Sequence, residues 1–318
     1  MFRKVLLFSS KNLPYLIPAT IVLGLMAGLF FNTSVLKALI LPITVIMIYP
    51  TMIGFDLREL AHIHEKKLLS LAFFINFILV PAVAYFLGRG LLFGMPGLFV
   101  GIAISSLLPT SNMTIAYTMI SGGNVSASIK ITIASLVTGA LVSPWYLYLM
   151  VGRYVPFDVW RTVMTLVIVV FLPLLLGILT FRYLMCRYTI SEFNSGIKVL
   201  LPGISAWGAV CIVFISVSME SKMIFKGLNV LVVAVLVQVV FYMANYFFAV
   251  VGSRLCKLNK QEGYVLVYST ALRNLGISMG LATSVFGSQA ALMVSFAFLF
   301  QPLAAAWFLK LNEKYIFI

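Results

Sequence analysis

The sequence predicts an all-helical, polytopic membrane protein with ten transmembrane helices, and three observations carry that reading. Of 318 residues, 62% are hydrophobic and only 9% are charged, at a mean hydropathy of +1.10; a soluble domain carries about 25% charged residues. The apolar residues come in runs close to the ~20 residues that a bilayer requires. The links between runs reach only about a dozen residues, so no soluble domain fits between them. Helices satisfy their own backbone groups, which is what spanning lipid demands. A soluble enzyme, a disordered chain and a secreted disulfide scaffold are excluded.

The first span covers 13–31. Ahead of it, Met1-Phe2-Arg3-Lys4 and the short apolar stretch Val5 to Phe8 lack a small-residue cleavage site and read as a cytoplasmic lead-in. Gly24 and Gly28 form a small-xxx-small pair, which points to close helix packing. The second span is 35–54, and the third, 67–88, carries Asn76. The fourth, 97–121, contains Pro109-Thr110-Ser111-Asn112-Met113-Thr114. Proline lacks an amide donor and disfavours helix before it, and small hydroxyl and amide side chains satisfy the backbone groups that a break frees. The fourth span is therefore expected to be interrupted near its middle. After Gly122-Gly123-Asn124 the fifth span, 125–150, carries Ser128, Lys130 and Thr132. The sixth and seventh, 162–184 and 196–218, hold no comparable polar run. The eighth, 227–252, holds Gln238. The ninth, 263–285, contains the second polar cluster, Ser269-Thr270-Ala271-Leu272-Arg273-Asn274-Leu275-Gly276, and the tenth, 289–311, holds Gln301.

Ten spans place both termini on one side. Fourteen Lys and Arg fall on that side and six on the other, so the termini are expected to be cytoplasmic. The net charge of +14 is thereby explained by membrane orientation and anionic lipid, without nucleic acid. Cys186, Cys211 and Cys256 show neither disulfide nor metal spacing. An odd-numbered unit repeated in tandem comes out inverted, so the chain divides into two five-helix repeats, 1–152 and 153–318, the design of many secondary transporters. The interruptions in spans 4 and 9 occupy matching places, which is the sequence pointer to a transporter's binding site.

All eight carboxylates lie in loops or at span ends, and both histidines, His62 and His64, lie between spans 2 and 3. A proton relay or an intramembrane hydrolase needs such groups inside the membrane, so an enzyme and a cation/proton antiporter are disfavoured. Arg273 stands about ten residues from either end of span 9, about 15 Å deep at 1.5 Å per residue. A central arginine costs at least ~2.5–3.5 kcal/mol to insert and requires compensation, from backbone carbonyls and hydroxyls or from an anionic substrate. Lys130 lies about five residues into span 5, shallow enough to snorkel to the interface or to assist at the site.

The order and spacing of three stretches resemble the bile acid:sodium symporter (BASS) superfamily over nearly the whole chain. They are Met52-Ile53-Gly54-Phe55-Asp56-Leu57 at the end of span 2, Pro109 through Gly123-Asn124-Val125 with Ser128 and Thr132, and Leu272-Arg273-Asn274-Leu275-Gly276 in span 9. The resemblance implies a panel domain (spans 1, 2, 6, 7), a core domain (spans 3–5, 8–10), alternating access, and a site where broken helices 4 and 9 cross at the midplane. It implies organic anion substrates, commonly moved with sodium. Substrate-binding candidates are Thr110, Ser111, Asn112, Thr114, Ser269, Thr270, Arg273, Asn274, Lys130 and Gln301; positions equivalent to the sodium sites are Asn76, Ser128, Thr132, Ser269 and Arg273. The chain departs from the pattern at Ser269, where sodium-coupled members have glutamate, at Arg273, where they have glutamine, and at Ile115, where they have asparagine. An added fixed cation repels sodium by roughly 4 kcal/mol at ~4 Å and an effective dielectric of 20.

The expectation is a secondary carrier of a small organic anion in a lipid bilayer, with no cofactor and no sodium coupling of the usual kind, in a prokaryotic inner membrane. The alternatives are a sodium-coupled, bile-acid-like symporter and a non-transporting receptor or subunit on the same fold.

Overall fold

The computed structural model describes residues 2–54, 65–226 and 228–315, and among them every regular element is helical. His62, His64 and the Phe55-Asp56-Leu57 half of the span 2 motif lie outside the described residues. Among the described residues, seven helical stretches are long and apolar enough to cross a membrane, and an eighth if the pair Pro96–Leu107 and Asn112–Ile120 counts as one span. Tyr15–Phe30 is a shorter apolar stretch.

The first helix, α1 (Phe2–Phe30), takes in the residues expected to form a lead-in. The extension is helical because it packs on the start of a later helix: Leu6 and Ser9 are buried, and Ser9 Oγ donates to Gly203 O at 3.1 Å. A 3₁₀ segment, Thr33–Leu39, leads into α2 (Ile40–Met52). The third stretch is α3 (Lys66–Phe74) and α4 (Val80–Leu91), joined by a π-helical turn at Ile75–Leu79 that contains Asn76. Then come α5 (Pro96–Leu107), α6 (Asn112–Ile120) and α7 (Val125–Val151). The sixth stretch is α8 (Val159–Leu166) and α9 (Leu172–Met185). A short α10 (Ile190–Glu192) precedes α11 (Leu201–Lys226), followed by α12 (Leu228–Leu255), α13 (Lys260–Ala271) and α14 (Leu275–Leu281). A π-turn (Ala282–Phe286) continues α14, and α15 (Ser288–Tyr315) ends the described chain.

The chain leaves α5 two residues before Pro109, and α6 sets off at 57° to it. Thr110 adopts φ 62 inside this break, a left-handed conformation that a β-branched residue rarely takes. Ser111 then starts α6: its N–H donates to Thr114 Oγ1 at 3.2 Å. The second break, between α13 and α14, is held by Asn274, whose Oδ1 accepts from Ile277 N at 3.3 Å. The two breaks touch, Asn274 N donating to Leu108 O at 2.9 Å.

The helices pack in two groups. One contains α1, α2, α9 and α11; the other contains α3 to α7 and α12 to α15. Close approach of α1 to α11 relies on the glycine pair, since a Cβ on Gly28 would sit 1.9 Å from Ser218 O. The groups meet along a seam where α2 contacts α14 and α11 contacts α15. There a Cβ on Gly280 would lie 2.1 Å from Thr44 Cγ2. On the other side of the crossover, α6 leaves Asn112, Ala116, Met119 and Ile120 exposed.

Candidate functional site: an arginine cage at the helix crossover

Arg273 sits between α13 and α14 and is completely buried. Its Nε donates to Ser105 O at 3.0 Å. Its Nη1 donates to Asn76 Oδ1 at 2.5 Å and to Thr270 O at 3.0 Å, and its Nη2 donates to Ser106 O. Four of the five guanidinium N–H groups are thus held by protein oxygens. The backbone is pinned as well: Arg273 N donates to Gln301 Oε1 at 2.8 Å and Gln301 Nε2 donates to Arg273 O at 3.1 Å. Tyr242 OH donates to the same Gln301 oxygen at 3.1 Å. A buried arginine is tolerable only with this degree of satisfaction.

The choice of oxygens has an electrostatic reason. Ser105 and Ser106 lie in the last turn of α5, and Thr270 in the last turn of α13. The last carbonyls of a helix have no partner within it, and each helix C-terminus behaves as about half a negative charge. Two such ends converge here, and one guanidinium meets roughly one negative charge. The N-termini of α6 and α14 lie at the same crossing and carry the opposite polarity. Ser111 Oγ, at the start of α6, is buried without a hydrogen-bond partner, and Asn112 Nδ2 reaches across to Thr51 O on α2 at 2.8 Å.

The structure brings most of the sequence candidates to this crossing. Thr110 is buried in the first break, its Oγ1 donating to Pro109 O at 2.7 Å. Thr114 Oγ1 donates to Tyr268 O at 3.4 Å, tying α6 to α13. Asn76 Nδ2 donates to Ser269 O at 3.3 Å, and Ser269 Oγ donates to Leu266 O at 3.0 Å. Ser128 Oγ, Thr132 Oγ1 and Thr270 Oγ1 are buried without partners.

Lys130 does not join the arginine cage: it is 7% exposed, and its Nζ reaches towards the span end to form an ion pair with Glu65 at 3.2 Å. Glu65 stands at the N-cap position of α3, so the pair joins α3 to the first turns of α7. The pair is neither fully buried nor solvated, and its coupling should fall between the ~1 kcal/mol of exposed pairs and the ~3–5 kcal/mol lost on breaking a buried one. Lys130→Met and Glu65→Gln are each expected to lower thermal stability, and the double variant to lose less than the sum of the two. Strict additivity in that double-mutant cycle would show the pair to be idle.

Sequence reasoning missed the contributions of Ser105, Ser106 and Leu108, because they act through backbone carbonyls. One signal was present: Pro109 ends α5, so the carbonyls just ahead of it had to find donors elsewhere. Tyr242 was missed because nothing in sequence pairs it with Gln301, 59 positions away.

The geometry can be set beside known proteins. Residues 41–227 match the model of the Sodium Bile acid symporter family. The uncharacterized protein YbaS of Bacillus subtilis is 25% identical over 301 residues, covering 93% of this chain and 95% of that protein. The probable sodium/metabolite cotransporter BASS1, chloroplastic, of Arabidopsis thaliana is 22% identical over 282 residues, covering 88% of this chain and 67% of that protein. Arabidopsis BASS5, with the same description, is 23% identical over 217 residues, 66% of this chain and 52% of that protein.

Proposed function

We propose a carrier mechanism from one premise: the chain belongs to the sodium bile acid symporter family. It is a multi-pass membrane transporter and not an enzyme. On our reading it moves a small organic anion by alternating access, with a fixed guanidinium where relatives described as sodium cotransporters would take a free cation. The observation that carries this is the oxygen cage around Arg273. Ser105 O, Ser106 O, Thr270 O and Asn76 Oδ1 form an all-oxygen set at two helix C-termini, the chemistry that suits a bare cation in a broken-helix transporter. The guanidinium already fills it, so a sodium ion does not fit there.

Arg273 then acts from behind the site. It neutralises the C-terminal ends and leaves the N-termini of α6 and α14 to attract the substrate's negative charge. Ser111, Asn112 and Asn274, at those N-termini, are assigned to the substrate, with Thr110 and Thr114 shaping the break. Gln301, Thr270 and Ser269 hold Arg273 in register. We leave Lys130 out of the substrate site because it is committed to Glu65.

The same reading takes the chain as ten spans in two inverted repeats, 1–152 and 153–318. The group of α1, α2, α9 and α11 is the panel, and the group of α3 to α7 with α12 to α15 is the core. Both termini are cytoplasmic, in a prokaryotic inner membrane. The closed seam at Gly280 and the exposed face of α6 then correspond to an inward-facing state.

One observation favours a second reading, a sodium-coupled symporter. The unpaired hydroxyls of Ser128, Thr132 and Thr270 are oxygen donors of the kind sodium takes, although no carboxylate among the described residues joins them. The test is thermal unfolding of the purified protein with a panel of monocarboxylates, dicarboxylates, sulfonates and a bile salt, in potassium buffer and in sodium buffer. A site-specific anion at 100 times Kd adds about 2.7 kcal/mol. The expected result is one anion class that stabilises equally in both buffers and loses its effect in Asn112→Ala. Stabilisation only in sodium would favour the second reading. No stabilisation, together with no counterflow in liposomes, would favour a non-transporting receptor.

A further inference from the structure

We propose a second anion site, for a small inorganic monovalent anion such as chloride, in the seam between the two helix groups at the end of the molecule away from the chain termini. A cavity of about 50 Å³ lies there, lined by Lys37, Ile40, Ser216, Met219, Thr283, Gly287 and Ser288. Its walls come from both groups: Lys37 from the 3₁₀ segment ahead of α2, Ser216 and Met219 from α11, and Thr283, Gly287 and Ser288 from the opposite group.

The chemistry of the lining favours an anion. Lys37 supplies an ammonium and forms no ion pair with a described residue. Ser216 is fully buried, and among the described residues its Oγ reaches only the thioether of Met279, at 4.0 Å. Its hydroxyl hydrogen is therefore spent on a weak acceptor that an anion would outcompete. Gly287, at φ 92, turns the chain so that Ser288 starts α15, a helix of 28 residues whose first N–H groups and positive end border the same space. Among the described side chains, no carboxylate lines the cavity. The volume admits a small ion and some water but not an extended organic carboxylate, so this site is separate from the crossover.

Occupancy has a mechanical consequence. An anion that binds Lys37 and Ser216 on one group and the α15 terminus across the seam holds the groups together only while the seam is closed. It therefore shifts the population toward the closed-seam state and slows any cycle that requires the seam to open.

The experiment is a titration of potassium chloride against potassium sulfate at constant ionic strength, with thermal unfolding of the detergent-purified full chain as readout. Wild type is expected to show a saturable chloride-dependent rise. Lys37→Gln is expected to lose it, Lys37→Arg to keep it, and Ser216→Ala to weaken the apparent affinity several-fold. Arg153→Gln, an exposed cation that does not line the cavity, should respond like wild type. A wild type that ignores chloride, or a Lys37→Gln variant that responds as strongly as wild type, overturns the proposal. Because the titration contains no sodium and no organic anion, its outcome is independent of the crossover mechanism.

Discussion

Replacing Arg273 with glutamine is expected to produce the largest stability loss of any single substitution at the crossover, about 3–5 kcal/mol, the usual cost of removing one partner from a buried charged network. The guanidinium now serves four protein oxygens on three segments: Ser105 and Ser106 on α5, Thr270 on α13 and Asn76 in the π-turn between α3 and α4. A shorter neutral amide cannot reach all of them, and each buried carbonyl left bare costs about 1–3 kcal/mol. The variant also recreates an empty oxygen cage between two negative helix ends. Sodium should therefore bind where the guanidinium was and restore part of the loss, while sodium leaves wild type unchanged. The measurement is thermal unfolding of both proteins in potassium and in sodium. An Arg273→Gln protein as stable as wild type, or one indifferent to sodium, would remove the cation-substitute role.

The second large effect concerns the seam. Gly280→Ala places a methyl carbon 2.1 Å from Thr44 Cγ2 and 3.2 Å from Val169 Cγ1. Thr44 is buried and its hydroxyl donates to Ile40 O at 2.8 Å, so it has no easy retreat. Overpacking of this kind costs about 1–3 kcal/mol. On the mechanism proposed above, this contact lies between groups that come together and separate in each cycle. Counterflow of the anion that stabilises wild type is therefore expected to fall tenfold or more. Thr44→Ala in the same chain removes the opposing methyl and should return most of the activity. If the single variant transports normally, α2 and α14 do not form a moving interface; if Thr44→Ala fails to rescue, the loss arises elsewhere.

The sequence showed much of this arrangement and concealed the rest for identifiable reasons. Arg273 stood out because a lone cation at the centre of an apolar run has no cheap explanation. Pro109 and its hydroxyl neighbours marked where α5 stops. Gly24 and Gly28 marked the tight α1–α11 contact. What satisfies Arg273 was not legible, because its acceptors are mostly main-chain carbonyls that every residue possesses, up to 168 positions away. The partner of Lys130 was not legible, because depth along a helix does not reveal which helix lies opposite, and Glu65 is opposite. The helix runs ahead of the first apolar span, where Leu6 and Ser9 pack on the start of α11, a contact that hydropathy does not register. The cavity at Lys37 joins residues from three separated stretches, and no local pattern announces it.

The central claim is that a fixed guanidinium takes the place of a coupling cation. The most direct measurement is uptake into proteoliposomes of the anion that stabilises the purified protein, driven by its own gradient and compared with and without an inward sodium gradient. The account expects the same initial rate and the same final accumulation in both conditions. Accumulation above the anion's own equilibrium that appears only with the sodium gradient would contradict it and leave Arg273 as a purely structural tether beside a sodium site built elsewhere.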